Sequence, residues 1–502
     1  MDALRWFFRL QPRWIQPAAV ETDDVFPVHF FDDTKTYRSM IVTWTLRFND
    51  ALDPEKLHDG LVQLLQIGDW RKLGGRLRLT TDGKLALHVP KEFTPERPAV
   101  RFTHRAFDVT IDEHSVGRQL PKPTGDNPSV QSDLSPFRIF TARENAPTKL
   151  DDLLYSDEPQ LSLHITTFKD ATLVSLLWPH TMTGALGRAE LITAWGLVLA
   201  GRKDEVPELR GAREDVLDGV GTSSDPDPEP FILEPNRLKG FDLLRFGFNF
   251  VWELIFGPKM TTQMMYLPSV FVSQLRQLAI DDLKAISGEV DPPFISEGDV
   301  LSAWATRMVA KTRAKNRPII VIGAVDIRSR LKTAFQSGGT YIQNLAFGTF
   351  TLFKAREASD ISLGEVAYKF RRDILEQITE PQIKTLMRGM RASGSGAPPQ
   401  MYGETNSLLV VVSNWTKANF FNIIDFSPAV VKSFPVDGQK HQPGKIVYQH
   451  SHLMVTSPMA RNLLNVLGKD SQGNYWATGT FSADWWVKLE EEIKAILSKR
   501  KD

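Results

Sequence analysis

Leu176-Leu177-Trp178-Pro179-His180-Thr181-Met182-Thr183-Gly184-Ala185-Leu186-Gly187 is the stretch whose reading decides the fold. It begins at the end of Ala171–Trp178, ATLVSLLW, a nearly continuous apolar run of the kind a strand covered on both faces presents. A Pro-His pair closes the run, small and hydroxyl residues follow, and a helical segment extends from Ala185 to about Leu199. Strand, tight turn and helix in that order are a unit of α/β architecture. A histidine at the end of a buried strand is fixed by the sheet and can face a cavity, where a pKa near 6.5 suits general-base work. Position alone leaves a second reading open, a histidine satisfied by a backbone carbonyl.

Outward from this stretch, strand and helix signals alternate. Upstream, Tyr37–Phe48 reads as a strand, Pro54–Leu65 as a helix capped by Asp53, and Arg76–Val89 as a hairpin turning at Asp82-Gly83. Pro159–Phe168 is a further strand. Between Gly201 and Lys239, charges and Pro207, Pro226, Pro228 and Pro230 mark a linker or long crossover. The stretch Phe241–Phe256 is the most apolar of the chain, yet too short to span a membrane and broken by Asp242, Arg245 and Glu253. It reads as a buried or half-buried helix, with a helix lying on a membrane surface as the sharper alternative. Beyond it, Ser269–Val272 reads as a short strand before a helix capped by Ser273, and Glu297–Lys311 as a helix. Pro318–Val325, Asn406–Val412 and Tyr475–Phe481 read as strands, and Trp485–Leu497 as a terminal helix. The expected organisation is an N-terminal domain over 1–205, a crossover over 206–260 and a C-terminal domain over 261–502.

Composition narrows the function. The 502 residues carry 60 basic and 60 acidic side chains, a balance that argues against nucleic-acid binding by phosphate neutralisation. The absence of cysteine removes disulfides, thiolate metal sites and cysteine nucleophiles. His450 and His452 alternate onto one strand face and join His441 in a loose histidine group, but no carboxylate sits in matching spacing, so no metal is expected. The first twenty residues interleave Arg5, Arg9 and Arg13 with aromatics and hold no apolar run of signal-peptide length, which favours a segment packing on the body and a cytoplasmic protein.

The neighbourhood of His180 resembles the BAHD acyltransferases, in particular their fungal branch, with its His-x-x-x-Asp-Gly or His-x-x-x-Asp-Ala motif after a strand. Asp69-Trp70-Arg71-Lys72-Leu73-Gly74-Gly75-Arg76-Leu77 is similar to the family's early Gly-Gly-Arg segment. Ser296–Trp304 is similar to the helix opening its second half, and Val325–Leu331 with Tyr341-Ile342-Gln343-Asn344 to its Arg-containing strand and loop. Asn414-Trp415 and Asp425-Phe426-Ser427 fall where its late motif belongs. The resemblance covers nearly the whole chain in order. It implies a two-domain fold like that of chloramphenicol acetyltransferase, α/β, each domain a mixed sheet flanked by helices, with a channel between them.

By that resemblance His180 is the general base, and Thr183, Gly184, Arg328, Asn344, Trp415 and Asp425 bind substrate or shape the site. Acyl-CoA is then the co-substrate, with no bound cofactor, and the partner is a small secondary metabolite bearing a hydroxyl or amine. The expected protein is a monomer without stable membrane insertion. Two departures qualify the reading. Gly184 stands where the motif has aspartate, whose implied partner is Arg328, and Ser427-Pro428 replaces the late glycine. A glycine there removes a charge-assisted anchor from the loop after His180. That departure keeps a second function open, a BAHD-fold protein repurposed as a cyclase, isomerase or pericyclase of a polyketide or terpenoid-like substrate, without CoA.

Overall fold

A computed structural model describes residues 15–222, 229–288, 290–313, 316–331, 334–335, 338–394, 396, 400–434, 442–457 and 460–498. The N-terminal aromatic and arginine-rich stretch up to Trp14, Pro226, Pro228 and His441 therefore lie outside the described residues. The strands of the two main sheets are β1 (Ile41–Phe48), β2 (Arg101–Ala106), β3 (Ser129–Asp133), β4 (Ser162–Thr167), β5 (Thr172–Pro179) and β6 (Met260–Leu267). They continue with β7 (Ile319–Asp326), β8 (Ala346–Phe353), β9 (Leu408–Asn414), β10 (Tyr448–Leu453), β11 (Leu463–Lys469) and β12 (Tyr475–Ser482). The longer helices are α1 (Pro54–Leu64), α2 (Ala185–Leu199), α3 (Gly240–Phe256), α4 (Ser269–Ser287), α5 (Glu297–Thr312), α6 (Leu363–Gln377), α7 (Glu380–Ser393) and α8 (Ala483–Ser498).

The first sheet has the order β10-β1-β5-β4-β2 and the second β8-β7-β9-β11-β12-β6-β3. Both are mixed: β2 runs parallel to β4, and β7 to β9, among otherwise largely antiparallel neighbours. β5 lies at the centre of its sheet, and all eight of its residues are buried, which accounts for its unbroken apolar run. Each sheet borrows one strand across the crossover. β10 pairs with β1, placing Tyr448 opposite Arg47, and β3 completes the second sheet beside β6. Periodicity does not reveal such pairings, since it reports the face of a strand and not its neighbour.

Local chemistry sets the elements that hold the site. Asp53 caps α1 by accepting from the amides of Glu55 and Lys56, and Leu57, Leu61 and Leu64 form its buried face. α1 packs on α2, where the Trp195 indole donates to the Leu57 carbonyl at 3.1 Å. The expected hairpin turns at Gly83, which has φ +78°.

Two expectations change. Ser269–Val272 is the first turn of α4, not a strand: Phe271, Val272 and Leu275 share its buried face, and Asn474 accepts the Ser269 amide. The strand expected from Tyr37 starts at Ile41, because Thr34 caps a helical turn over Lys35–Arg38. α3 is helical as expected and half-buried. Phe246 faces the core, whereas Phe241, Leu244, Phe248, Val251, Trp252, Ile255 and Phe256 form an exposed stripe.

Candidate active site

A cavity of about 1350 Å³ lies between the two sheets, and His180, Thr183, Gly184, Arg328, Asn344 and Trp415 all line it. β5 delivers His180 to its wall. The His180 amide donates to the Met40 carbonyl at 2.8 Å, which continues the β1–β5 ladder by one step and fixes the histidine backbone. The Met182 amide then bonds back to the Pro179 carbonyl at 2.9 Å and turns the chain into α2.

The His180 side chain is half-buried and faces the cavity, with Nδ1 buried and without a hydrogen-bond partner in the structure. The ring is oriented by stacking: Tyr37 lies parallel to it at 4.6 Å between centroids and 5° between planes. Burial lowers the imidazole pKa to about 4, and the cation of Arg188 pushes the same way. His180 is therefore neutral at physiological pH and can receive a proton.

The loop after His180 is docked onto the Tyr341–Asn344 segment by hydrogen bonds. Thr183 Oγ1 donates to the Ile342 carbonyl at 2.6 Å, and Asn344 Nδ2 donates to the His180 carbonyl at 2.8 Å. Asn344 is itself held by Asp32, whose Oδ1 accepts its backbone amide at 2.8 Å and its Nδ2 at 2.7 Å. Burial raises the Asp32 pKa to about 7, against the lowering effect of the two Asn344 donors. Gly187 permits the docking, because a Cβ there would sit 2.2 Å from the Ile342 carbonyl oxygen.

Arg328 makes an ion pair with Asp326 on its own strand end and donates to the carbonyls of Tyr341 and Gln343 at 3.1 Å each. Gly184 is the N-cap of α2 in extended backbone, with φ −100°. A Cβ built there would lie 3.0 Å from Asn344 Oδ1. Its conformation is thus open to any residue, and the constraint on it is the neighbouring amide. Asn344 and Asp32 thus anchor the loop after His180 to the Tyr341–Asn344 segment.

Comparison with known proteins accords with this geometry. The family model described as Transferase family matches residues 129–430. The chain belongs to that BAHD-type transferase family. Among its relatives, Acetyltransferase pyiB of Pyricularia grisea is 43% identical over 95% of this chain and 94% of its own length. O-acetyltransferase PaAT-2 of Phomopsis amygdali is 38% identical over 95% of this chain and 99% of its own. The fold matches TRI101 of F. graminearum, solved with Coenzyme A and T-2 mycotoxin, at a TM-score of 0.66 and 15% identity, covering 93% of this chain and 97% of that one. The chain is accordingly an enzyme of the acyltransferase class.

Within this family framework the late segment divides. Trp415 lines the cavity, and its Nε1 donates to Ser413 Oγ at 2.9 Å. Asp425 does not reach the cavity wall. It accepts the Ser427 amide at 3.0 Å and pairs with Lys445 at 3.3 Å, while Phe426 beside it packs on Trp195 and Phe48.

Asp32, Tyr37 and Arg188 are the site residues that sequence reasoning missed. Arg188 carried a signal, the one basic residue in a largely apolar helix, whereas Asp32 and Tyr37 sit in irregular sequence with no spacing to mark them. His450, on β10, is buried in the sheet, and among the described residues no group of histidine and carboxylate side chains could hold a metal. No helix among the described residues is long and apolar enough to cross a membrane.

Proposed function

We propose that the enzyme transfers an acetyl group from acetyl-CoA to a hydroxyl of a small, largely apolar secondary metabolite, with His180 as general base. The observation that carries this is a neutral histidine, fixed by β1 and by Tyr37, on the wall of a cavity lined by residues of both halves of the chain. His180 takes the proton of the acceptor hydroxyl as its oxygen attacks the thioester carbonyl carbon. A tetrahedral oxyanion forms and collapses with cleavage of the C–S bond, and the imidazolium returns its proton to the departing thiolate, giving CoA-SH and neutral His180. No covalent enzyme intermediate forms, and the acceptor retains the acetyl group.

Further residues support the two substrates. The rim carries Arg330 and Lys417, exposed cations suited to the phosphates of CoA. TRI101 was solved with Coenzyme A, and the relatives named above are acetyltransferases, which is the basis for choosing this donor. The repurposed-catalyst reading rested on an unanchored loop at Gly184, and the Asn344–Asp32 anchor removes that motive.

Calorimetric titration of the purified protein with CoA and acetyl-CoA is the first test. Incubation with acetyl-CoA and a panel of hydroxylated polyketides and terpenoids, read as a mass gain of one acetyl group, is the second. Saturable CoA binding with acetyl transfer to at least one panel member is the expected result; no CoA binding at millimolar ligand overturns the reading.

A further inference from the structure

Arg188 lies in the first turn of α2, is 3% exposed, and is one of the residues lining the cavity. Its guanidinium carbon sits 4.3 Å from the Trp415 ring centroid, 5.0 Å from Trp44, 5.3 Å from Phe420 and 5.4 Å from Trp178. Among the described residues no carboxylate pairs with it, and its Nη1 is buried without a hydrogen-bond partner. Of the other buried arginines, Arg47 also has an Nε without a hydrogen-bond partner but does not line the cavity, and the remaining two are differently placed. Arg76 donates to the Gly74 and Pro98 carbonyls, and Arg78 to the Leu77 and Ser156 carbonyls and to Asp157.

A guanidinium brings five N–H donors in a planar fork. Ring faces stabilise its charge but leave those donors without an oxygen acceptor. The carboxylates of the cavity wall are otherwise committed, Asp326 to Arg328, Asp299 to Arg371, Glu297 to Lys469, and Asp470 to the backbone amides of Gln472 and Asn474. A desolvated, hydrogen-bond-deficient cation on the wall that also holds His180 is a site for an anion supplied by the ligand.

We propose that Arg188 is an anion-binding residue of the cavity, taking a negatively charged oxygen of the reacting molecules within its ring of tryptophans. Two sources carry that chemistry, a carboxylate on the acceptor and the oxyanion formed on the thioester carbonyl. The second source rests on the acyl-transfer reading; the binding site itself does not.

The test uses the purified full chain and its Arg188→Lys and Arg188→Met variants, each checked for native near-UV circular dichroism and Tm. Trp44, Trp178 and Trp415 surround the guanidinium, so tryptophan fluorescence is titrated with sodium acetate against sodium fluoride at equal ionic strength. The wild type is expected to saturate with acetate, Arg188→Lys to saturate more weakly, and Arg188→Met to show no saturation. Hydrolysis of acetyl-CoA, with water as acceptor, separates the sources. An oxyanion contact lowers kcat of Arg188→Met by about tenfold or more, with KM for acetyl-CoA within about twofold and partial rescue by lysine. A carboxylate contact instead raises KM for the acceptor found in the panel above, with the effect on acetyl-CoA hydrolysis staying well below tenfold. Absence of acetyl-CoA turnover by the wild type would count against the acyl-transfer reading, while the acetate titration still decides Arg188. A wild type that does not saturate with acetate, or a folded Arg188→Met that saturates as the wild type does, overturns the proposal; if methionine prevents folding, the lysine variant is compared in its place.

Discussion

Asn344 holds His180 by its backbone: one amide nitrogen, Nδ2, donates to the His180 carbonyl at 2.8 Å and to Asp32 Oδ1 at 2.7 Å. The contact joins the end of β5 to the loop after β7, so the wall that carries the base is tied to the opposite half of the chain. Asn344→Ala removes both bonds and leaves the Asp32 carboxyl with the Asn344 backbone amide alone. Stability is expected to fall by about 1–3 kcal/mol, the cost of an unsatisfied buried polar group, with a lower kcat. Asn344→Asp sets two carboxyls against each other and should be worse on both counts. Thermal denaturation and initial rates check this; an unchanged Tm in both variants would dismiss the anchor.

His180 should be required for turnover and dispensable for folding. His180→Ala is expected to lower kcat/KM by roughly 10²–10⁴ with a small change in Tm. Its lowered pKa also sets the pH profile. A group that works deprotonated loses activity as pH falls through its pKa, so the acid limb of the rate should lie near pH 4 rather than at the ordinary histidine value. A limb at about pH 6.5 would mean that the ring is solvated in the working enzyme.

Gly184→Asp is expected to damage the enzyme, in contrast with the rescue that the family motif implies. Arg328 is already paired with Asp326, and the new side chain meets Asn344 Oδ1, an acceptor facing an acceptor. Some gain at the N-terminus of α2 opposes this, because aspartate is a good N-cap. The displaced Asn344 outweighs it, since it releases both His180 and Asp32. Gly184→Ala should reduce kcat a few-fold and aspartate clearly more. Equal or higher activity of the aspartate variant in acetyl transfer would refute this ordering.

Asp32 should leave a signature in the pH dependence of stability. Its pKa is about 7 in the folded protein and 3.8 as an ordinary carboxyl, so between these values the folded state keeps a proton that the unfolded chain has lost. That contribution is full at low pH, falls as pH rises through the window, and is level above pH 7. The slope is on the order of 1 kcal/mol per pH unit at most for a single proton. The half-buried, neutral His180 acts in the opposite sense, costing stability as pH falls from 6.5 towards 4. Comparing Asp32→Asn with the wild type isolates the carboxyl: the difference in unfolding free energy should shift in favour of asparagine as pH rises from 4 to 7. A constant difference across that range would show Asp32 ionised throughout.

The order of elements around His180 was legible in the sequence because each is specified by near neighbours. The apolar run of β5, the Pro-His turn and the cap at Asp53 all report on residues within a few positions of themselves. The same local grammar misread Ser269–Val272, where four residues fit a strand or a buried helical face equally well and the seat against Asn474 chose between them. It also read α3 as a helix without fixing how much of it the body would cover, and Trp252 remains 56% exposed.

What the sequence determined by itself was the α/β alternation, the histidine at a strand end, and the absence of any cysteine chemistry. Tertiary structure alone decided that β10 joins the first sheet, that Tyr37 stacks on His180, and that Asp32 and Asn344, 312 residues apart, meet to hold the His180 backbone. The reason is physical. Secondary structure follows from backbone preferences and the spacing of apolar side chains, both local properties of the chain. A polar anchor instead depends on which distant donor and acceptor are left facing each other once the core has closed, and no spacing rule encodes that meeting.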